Sequence, residues 1–457
     1  MRYLNPYKRE KFPLGPFASS MPVLFHFRFI IPFLFFLMLN TSLSYAIDLR
    51  DIKIFENKTF NPNIHTIIFA PQGSEMELPV LNKEGQQHLI LKFDDFAPKR
   101  KNYYYTIRHC DATWKESFLS PMDYIEGFES NPLNDYAPSF NTTIHYGNYQ
   151  LSLPNQDIKF KLSGNYALIV YEDNDLSKVV FIRRFYVAEQ NVSIEGLIKP
   201  AGINSAADQE FDLKVNHPTY PISDPLTEIR VVVMQNRRTD NSVIFTKPQH
   251  VTDNALIYEF NDANIFPGGN EFRFFDCKSL RFNSEGIAQI SYIDHAFHVI
   301  LLPSAIRANQ PYAYSRELNG QYSIAVENKK DPDTEADYVY VDFSLPFAAP
   351  FSQGSLHVIG GFSDMQCNES NKMTYNFTAK RYEAGLLLKQ GYYNYMYAFW
   401  PEGEVKYNTT NLEGSHFETE NEYVAFVYHH PISSRYERLI GFQSFNTDHI
   451  KGIQMGW

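Results

Sequence analysis

Leu89-Ile90-Leu91-Lys92-Phe93 places Leu89, Leu91 and Phe93 on one face of an extended chain and Ile90 and Lys92 on the other. A period of two marks a half-buried β-strand. Tyr103, Tyr105 and Ile107 repeat the pattern, as do Val339, Val341, Phe343 and Leu345. Short runs of this kind recur between clusters of Asn, Gly, Pro and Asp, without a long amphipathic helix. Aromatic residues form 16% of the 457, with 31 Tyr and 38 Phe, and wide flat side chains suit a pleated surface. This spacing predicts an all-β chain of immunoglobulin-like β-sandwiches. One sandwich takes roughly 100 residues, so several must stand in tandem.

The N-terminal region reads as an export signal. An apolar run from Phe29 to Leu39 follows Arg28 and precedes Asn40-Thr41-Ser42, and Ser44-Tyr45-Ala46 fits a small-x-small cleavage site. Residues 1–46 are therefore expected to be a cleaved signal peptide, with Met21 as an alternative start. His26, Arg28 and Pro32 disfavour a permanent membrane helix, which needs roughly 20 predominantly apolar residues. No cysteine follows the cleavage site, which argues against a lipid anchor. Losing this segment takes the net charge from -11 to -15, so nucleic acid and anionic lipid are poor partners.

Beyond the signal, residues 47–190 are expected to form the first sandwich, closing on the strand from Val179 to Val187. A second is expected over 191–303, around the apolar run Ile229 to Met234. Residues 304–337 read as a linking segment or hairpin, with Asn319-Gly320 as its turn dipeptide. The last unit, 338–457, resembles an early-set immunoglobulin-like domain of the glycogen-binding kind, in which Val358-Ile359-Gly360-Gly361-Phe362 leads into a strand at Met373-Thr374-Tyr375.

Reactive residue types occur without the spacing that chemistry needs. His109, Cys110 and Asp111 are the components of a cysteine nucleophile set, but consecutive strand residues point to opposite faces and cannot form a relay. Asp111 and Thr113 are expected to turn the chain while Trp114 packs. Neither His295 and His298 nor His429 and His430 has the helical spacing of four that puts two imidazoles on one metal. Cys110, Cys277 and Cys367 are far apart and odd in number, which predicts buried thiols rather than a disulfide framework or zinc site. No phosphate loop, zinc-protease helix motif or serine-hydrolase elbow is present. No pair of carboxylates is singled out for work on a sugar. Asn-x-Ser/Thr sequons stand at Asn57, Asn141, Asn191, Asn376 and Asn408, and would matter in a eukaryotic secreted protein.

Two segments invite a binding reading. In Gly268-Gly269-Asn270-Glu271-Phe272-Arg273 the glycines permit a tight turn into a strand, with Phe272 and Phe274 expected to face the core and Glu271 and Arg273 to lie opposite as a structural ion pair over the sheet. Tyr393, Tyr395 and Tyr397 share one strand face, beside Tyr392; they are expected to pack in a core, and would otherwise offer an aromatic platform to a glycan.

His109-Cys110-Asp111-Ala112-Thr113-Trp114, the run Ile265 to Asp276 and Leu388-Lys389-Gln390-Gly391-Tyr392-Tyr393-Asn394-Tyr395 together resemble the Plug protein family of the Bacteroidetes type IX secretion system. Further stretches stand in the same order: Tyr124 to Phe128, Ser163 to Tyr166, Arg183 to Phe185, Ala336 to Val339, Glu413 to Tyr423 and Leu439 to Gly441. The resemblance implies a non-catalytic periplasmic protein, without cofactor, metal or small-molecule substrate. It would dock against the periplasmic mouth of a very large outer-membrane β-barrel translocon, acting as a rigid rod of sandwiches and touching the membrane only through that partner. It assigns no contact residues. A secreted glycan-binding sandwich protein is the alternative.

Overall fold

A computed structural model describes residues 52–202, 204–260, 262–328 and 331–447, so the expected signal peptide and the extreme C-terminus lie outside the described residues. The alternating runs are strands as expected. Leu89, Leu91 and Phe93, then Tyr103, Tyr105 and Ile107, then Val339, Val341, Phe343 and Leu345, are all buried.

The first sandwich has one sheet ordered Lys58–Thr59, Val179–Ala188, Gly164–Glu172, Tyr103–Cys110, Asn131–Leu133, with Val80–Asn82 parallel to Val179–Ala188. Facing it are Ile64–Pro71, Leu89–Asp95, Gly147–Leu153 and Asp135–Pro138. Phe93, Tyr103, Tyr149 and Phe181 interlock between the sheets. Aromatic pairs of this kind add about 0.5–1.5 kcal/mol each beyond their buried area.

The middle sandwich departs from the expected boundaries. One of its sheets is local: Ser193–Pro200, Asp208–Asn216, Ala255–Tyr258 and His250–Val251, with Ile265–Pro267 also on Asp208–Asn216. The other joins Val243–Phe245 and Ile229–Gln235 to Glu422–His429 and Arg438–Asn446. Residues 422–446, expected in the last unit, thus complete the second. Phe211, Val231, Tyr423 and Ile440 share its core.

Everything between belongs to a third sandwich inserted into the second. Arg273–Asp276, Gly391–Pro401, Tyr322–Ile324 and Gly354–Ile359 form one side. Ile287–Ile293, Ala296–Leu301, Tyr338–Pro346, Arg381–Lys389 and Thr374–Asn376 form the other. The expected boundary at 303 therefore falls inside a core, and the 304–337 stretch contributes a strand to that core rather than linking two units. Its Asn319-Gly320 turn does occur, with φ of 48° and 79°.

Two crossovers carry the chain into and out of this insertion, and they lie against each other. The outgoing one is Gly268-Gly269-Asn270-Glu271, and the returning one runs from Glu413 to Asn421. His416 N–H donates to the Gly269 carbonyl at 2.8 Å, the Asn270 amide to the Glu413 carbonyl at 2.7 Å, and the Asn421 amide to the Gly268 carbonyl at 2.8 Å. A Cβ on Gly268 would sit 2.2 Å from the His416 carbonyl oxygen, so this approach excludes any side chain.

The first sandwich touches both others, so the three close on one another and the expected rod is not formed. Its contact with the third is polar and buried. Lys389, 2% exposed, lies 2.7 Å from the Asp94 carboxylate, which also accepts from Tyr338 Oη at 2.7 Å and Asn148 Nδ2 at 2.8 Å. Tyr146 Oη donates to the Ala336 carbonyl and Thr143 N–H to Asp337, both at 2.8 Å. Its contact with the middle sandwich is mixed. Tyr186 stacks on Phe426, Asn165 accepts from Tyr428 Oη at 2.6 Å, and Arg438 lies 2.6 Å from Glu189.

Two stability outcomes follow from these junctions. Lys389→Met leaves Asp94 buried and uncompensated, and should cost about 3–5 kcal/mol in chemical denaturation, whereas Asp94→Asn with Lys389→Met should recover part of that loss. Gly268→Ala must displace backbone and should cost about 3 kcal/mol. Gly269→Ala, at φ 67° with open space around it, should cost about 1 kcal/mol. Equal losses at the two glycines would contradict the close crossover contact.

Candidate functional site

The reactive-looking residues of the sequence are structural. His109 is buried, with Nδ1 3.0 Å from Ser117 Oγ and Nε2 3.2 Å from the Ser163 carbonyl oxygen. Burial pushes its imidazole down to about 4. Cys110 belongs to the cluster on the opposite face of the sheet, with Ala167, Ile169 and Ile182, and burial pushes its thiol up. Asp111 Oδ1 accepts from the N–H groups of Thr113 and Lys115 at 2.8 and 3.1 Å, the turn expected of it. Trp114 then packs on Tyr186 and under the Arg184 guanidinium.

The other histidines follow suit. His295 lies in the hairpin turn between Ile287–Ile293 and Ala296–Leu301, and His298 stacks on Tyr340 beside Asp342. His429 is held by Tyr220 Oη at 2.8 Å and Glu228 at 3.3 Å, while His430 is exposed. Cys110 and Cys277 are buried and Cys367 half-buried, and all three are free thiols. Burial raises Cys277 and Cys367 to about 12, far from a reactive thiolate. Among the described residues no three His, Cys, Asp or Glu side chains converge as a metal site would require.

The Gly-Gly-Asn-Glu-Phe-Arg reading needs two corrections, the first being that Arg273 pairs with Glu413 and not with Glu271. Phe275 and Cys277, rather than Phe274, enter the core, so Arg273 lies on the inward face of the strand. The charge is tolerated there because fully buried Glu413 pairs with Arg273 at 2.9 Å and with Arg307 at 2.8 Å. Burial opposes ionisation of Glu413, but the two guanidinium charges outweigh it and hold the carboxyl below the usual glutamate range. Glu271 is buried as well, accepting from the Tyr312 hydroxyl and from Glu420 N–H. Neither Glu271 nor Arg273 is left exposed for a partner.

Tyr393, Tyr395 and Tyr397 are 1%, 5% and 1% exposed, with Phe275 and Tyr322 stacked on Tyr393. A glycan platform on these rings is closed. Tyr392 stacks on Phe274 on the other face.

Of the exposed apolar side chains that do stand out, only Phe128 lies in a stretch the sequence singles out, and there for its family resemblance rather than for its exposure. Phe118, Met122 and Phe128 are 103%, 79% and 73% exposed on the segment following Tyr103–Cys110. Arg108 ties the two ends of this segment together, 3.3 Å from Glu116 and 2.9 Å from Glu129. Ile432 is as exposed, on a loop whose Arg435 lies 3.5 Å from Asp123. The only signal in the sequence is that these apolar residues fall outside any alternating run. Single exposed apolar residues are ordinary, but here three stand on one segment braced at both ends.

Lowered imidazoles give a pH dependence. Because folded His109 stays neutral down to about pH 4 while the unfolded chain takes up a proton near pH 6.5, stability should be full above pH 6.5 and fall by about 3 kcal/mol towards pH 4. His109→Gln should show a flatter loss over that window in denaturation at stepped pH; an identical slope would place the titration elsewhere.

Comparison with known proteins places the fold. No curated protein matches the chain. Solved chains do, among them the crystal structure of a hypothetical protein from Parabacteroides merdae ATCC 43184 at 2.30 Å resolution, with TM-score 0.84 at 34% identity over 86% of this chain and 100% of that one. Residues 64–189, most of the first sandwich, match the family model described as type 9 secretion system plug protein 1st domain. The chain therefore belongs to the type 9 secretion system plug protein family.

Proposed function

We propose that this protein is a non-catalytic periplasmic plug that docks on the inner opening of the outer-membrane type IX translocon barrel and seals it. The observation that carries the reading is membership of the plug family in a chain whose three sandwiches are tied into one closed body. A pore wide enough for folded cargo leaks solutes unless something of comparable bulk fills its mouth. That task calls for stiffness and a sizeable contact surface, and for no reactive site. The expected signal peptide would deliver the chain to the periplasm, where the barrel opens inward.

Docking energy in such an interface concentrates on a few large anchors. Phe118, Met122 and Phe128 are the proposed anchors, since Arg108 braces their segment and burying each side chain gives about 1.5–3 kcal/mol.

A deletion strain should secrete in part while admitting large antibiotics that the outer membrane normally excludes; unchanged permeability would contradict sealing. Capture of the tagged protein from solubilised outer membrane should bring down a very large barrel. Combined Phe118→Ser, Met122→Ser and Phe128→Ser should lower that recovery about tenfold or more with the melting temperature unchanged. Full recovery by this variant would move the docking surface elsewhere.

A further inference from the structure

Where the three sandwiches meet, the fold leaves a cleft of about 440 Å³ that continues into a smaller one of about 140 Å³. Arg184, Tyr186, Met234, Thr239, Met365 and Gln366 line both, so residues of all three sandwiches meet in one space. Its volume lies in the range that holds a small organic ligand.

The polar groups in this cleft are unevenly satisfied. Asp240 in the lining is paired with Arg238 at 2.7 Å, and Arg237 with Glu422 at 2.8 Å. Arg184 differs. Its Nε donates to the Phe55 carbonyl at 2.6 Å and its backbone N–H to Asn57 at 2.8 Å, which leaves both terminal nitrogens without a hydrogen bond to a described residue. No carboxylate among the described residues lies within ion-pair distance of it; Glu56, exposed on the lip of the cleft, acts on it only through the longer-range electrostatic attraction of opposite charges.

This guanidinium is also fixed in place. It lies 4.3 Å from the Trp114 ring centroid, and Trp114 packs edge-on against Tyr186, which stacks on Phe426. Arg184 and Tyr186 are two apart on the strand Val179–Ala188 and share its face. The Tyr186 hydroxyl makes no hydrogen bond to a described residue, and the Tyr407 hydroxyl, also in the lining, is buried without a partner. A planar, oriented pair of donors beside a phenol is the geometry that grips a carboxylate in a bidentate fashion. The surrounding Trp114, Trp400 and Phe426 suit an apolar or aromatic body attached to that carboxylate.

We propose that this cleft is a binding site for an organic carboxylate with an apolar or aromatic body, held by the Arg184 guanidinium and the Tyr186 hydroxyl. Two sources share this chemistry: a free aromatic acid, and the carboxylate of a peptide. The inference stands on the cleft alone and is independent of the sealing function.

Two of the three tryptophans in the sequence, Trp114 and Trp400, line the cleft, so intrinsic fluorescence reports occupancy. The purified protein is titrated with phenylacetate, with a short peptide ending in phenylalanine with a free carboxylate, and with the primary amide of each. Saturable quenching by either acid, with its amide about tenfold weaker or more, is the expected result, and which acid binds identifies the source. Arg184→Gln should abolish the preference for acid over amide, Arg184→Lys should retain part of it, and Tyr186→Phe should weaken binding by a few fold. Should Arg184→Gln fail to fold, the acid-to-amide ratio on the natural protein and the Tyr186→Phe variant decide. Failure of both acids to bind, equal binding of acid and amide, or an acid preference unchanged by these substitutions would overturn the site.

Discussion

The fold depends on a strand that has no partner in its own neighbourhood of sequence. Ile229–Gln235 is covered on one edge by three residues, Val243–Phe245, and on the other by Glu422–His429, which arrives nearly 200 residues later. Without that return, a long apolar edge would present unpaired N–H and C=O groups, a costly and aggregation-prone arrangement. The insertion of the third sandwich therefore cannot be a loose appendage. Its two ends must leave and re-enter the middle sandwich at one place, and the direct contact between the crossovers at Gly268 and His416 is how the chain meets this requirement.

From this constraint the rest of the architecture follows. With two chain segments tying the third sandwich to the second, the first closes the remaining side, and it does so through oriented polar contacts. Asp94 with Lys389, Tyr338 and Asn148 forms one such junction; Glu189 with Arg438, and Tyr428 with Asn165, form another. Buried charges of this sort fix a single arrangement, since any slippage strands one of them away from water. The interface is thus selective about geometry even where it adds little net stability. A body built this way resists deformation, which is what the proposed occlusion of a wide opening would ask of it.

Fold class was legible in the sequence because alternation is a local signal: Leu89, Leu91 and Phe93 announce their strand without reference to any other. Boundaries were not, because the pairing of Ile229–Gln235 with Glu422–His429 leaves no trace in either segment alone. The same limit hides the inward face of Arg273, whose partner, Glu413, is 140 residues distant. The stretches that carry the family resemblance turn out to sit largely at junctions. Gly268 to Arg273 and Glu413 to Tyr423 are the paired crossovers, Ala336 to Val339 meets the first sandwich, and Leu439 to Gly441 receives the chain leaving it through Glu189 and Asn191. Those residues were recognisable as a set, yet their work is done in pairs that only the fold assembles. The exposure of Phe118, Met122 and Phe128 was not legible for the opposite reason, since nothing about a lone apolar residue in a turn says that it stays in water.

Small-angle scattering of the mature protein tests the closed three-sandwich body most directly. A chain of about 400 residues folded as one compact unit should give a radius of gyration of about 21 Å with a single symmetric distance distribution. A markedly larger radius with the long tail of sandwiches strung end to end would contradict the closed arrangement, and with it the account of why the crossovers and the buried Asp94–Lys389 pair are there.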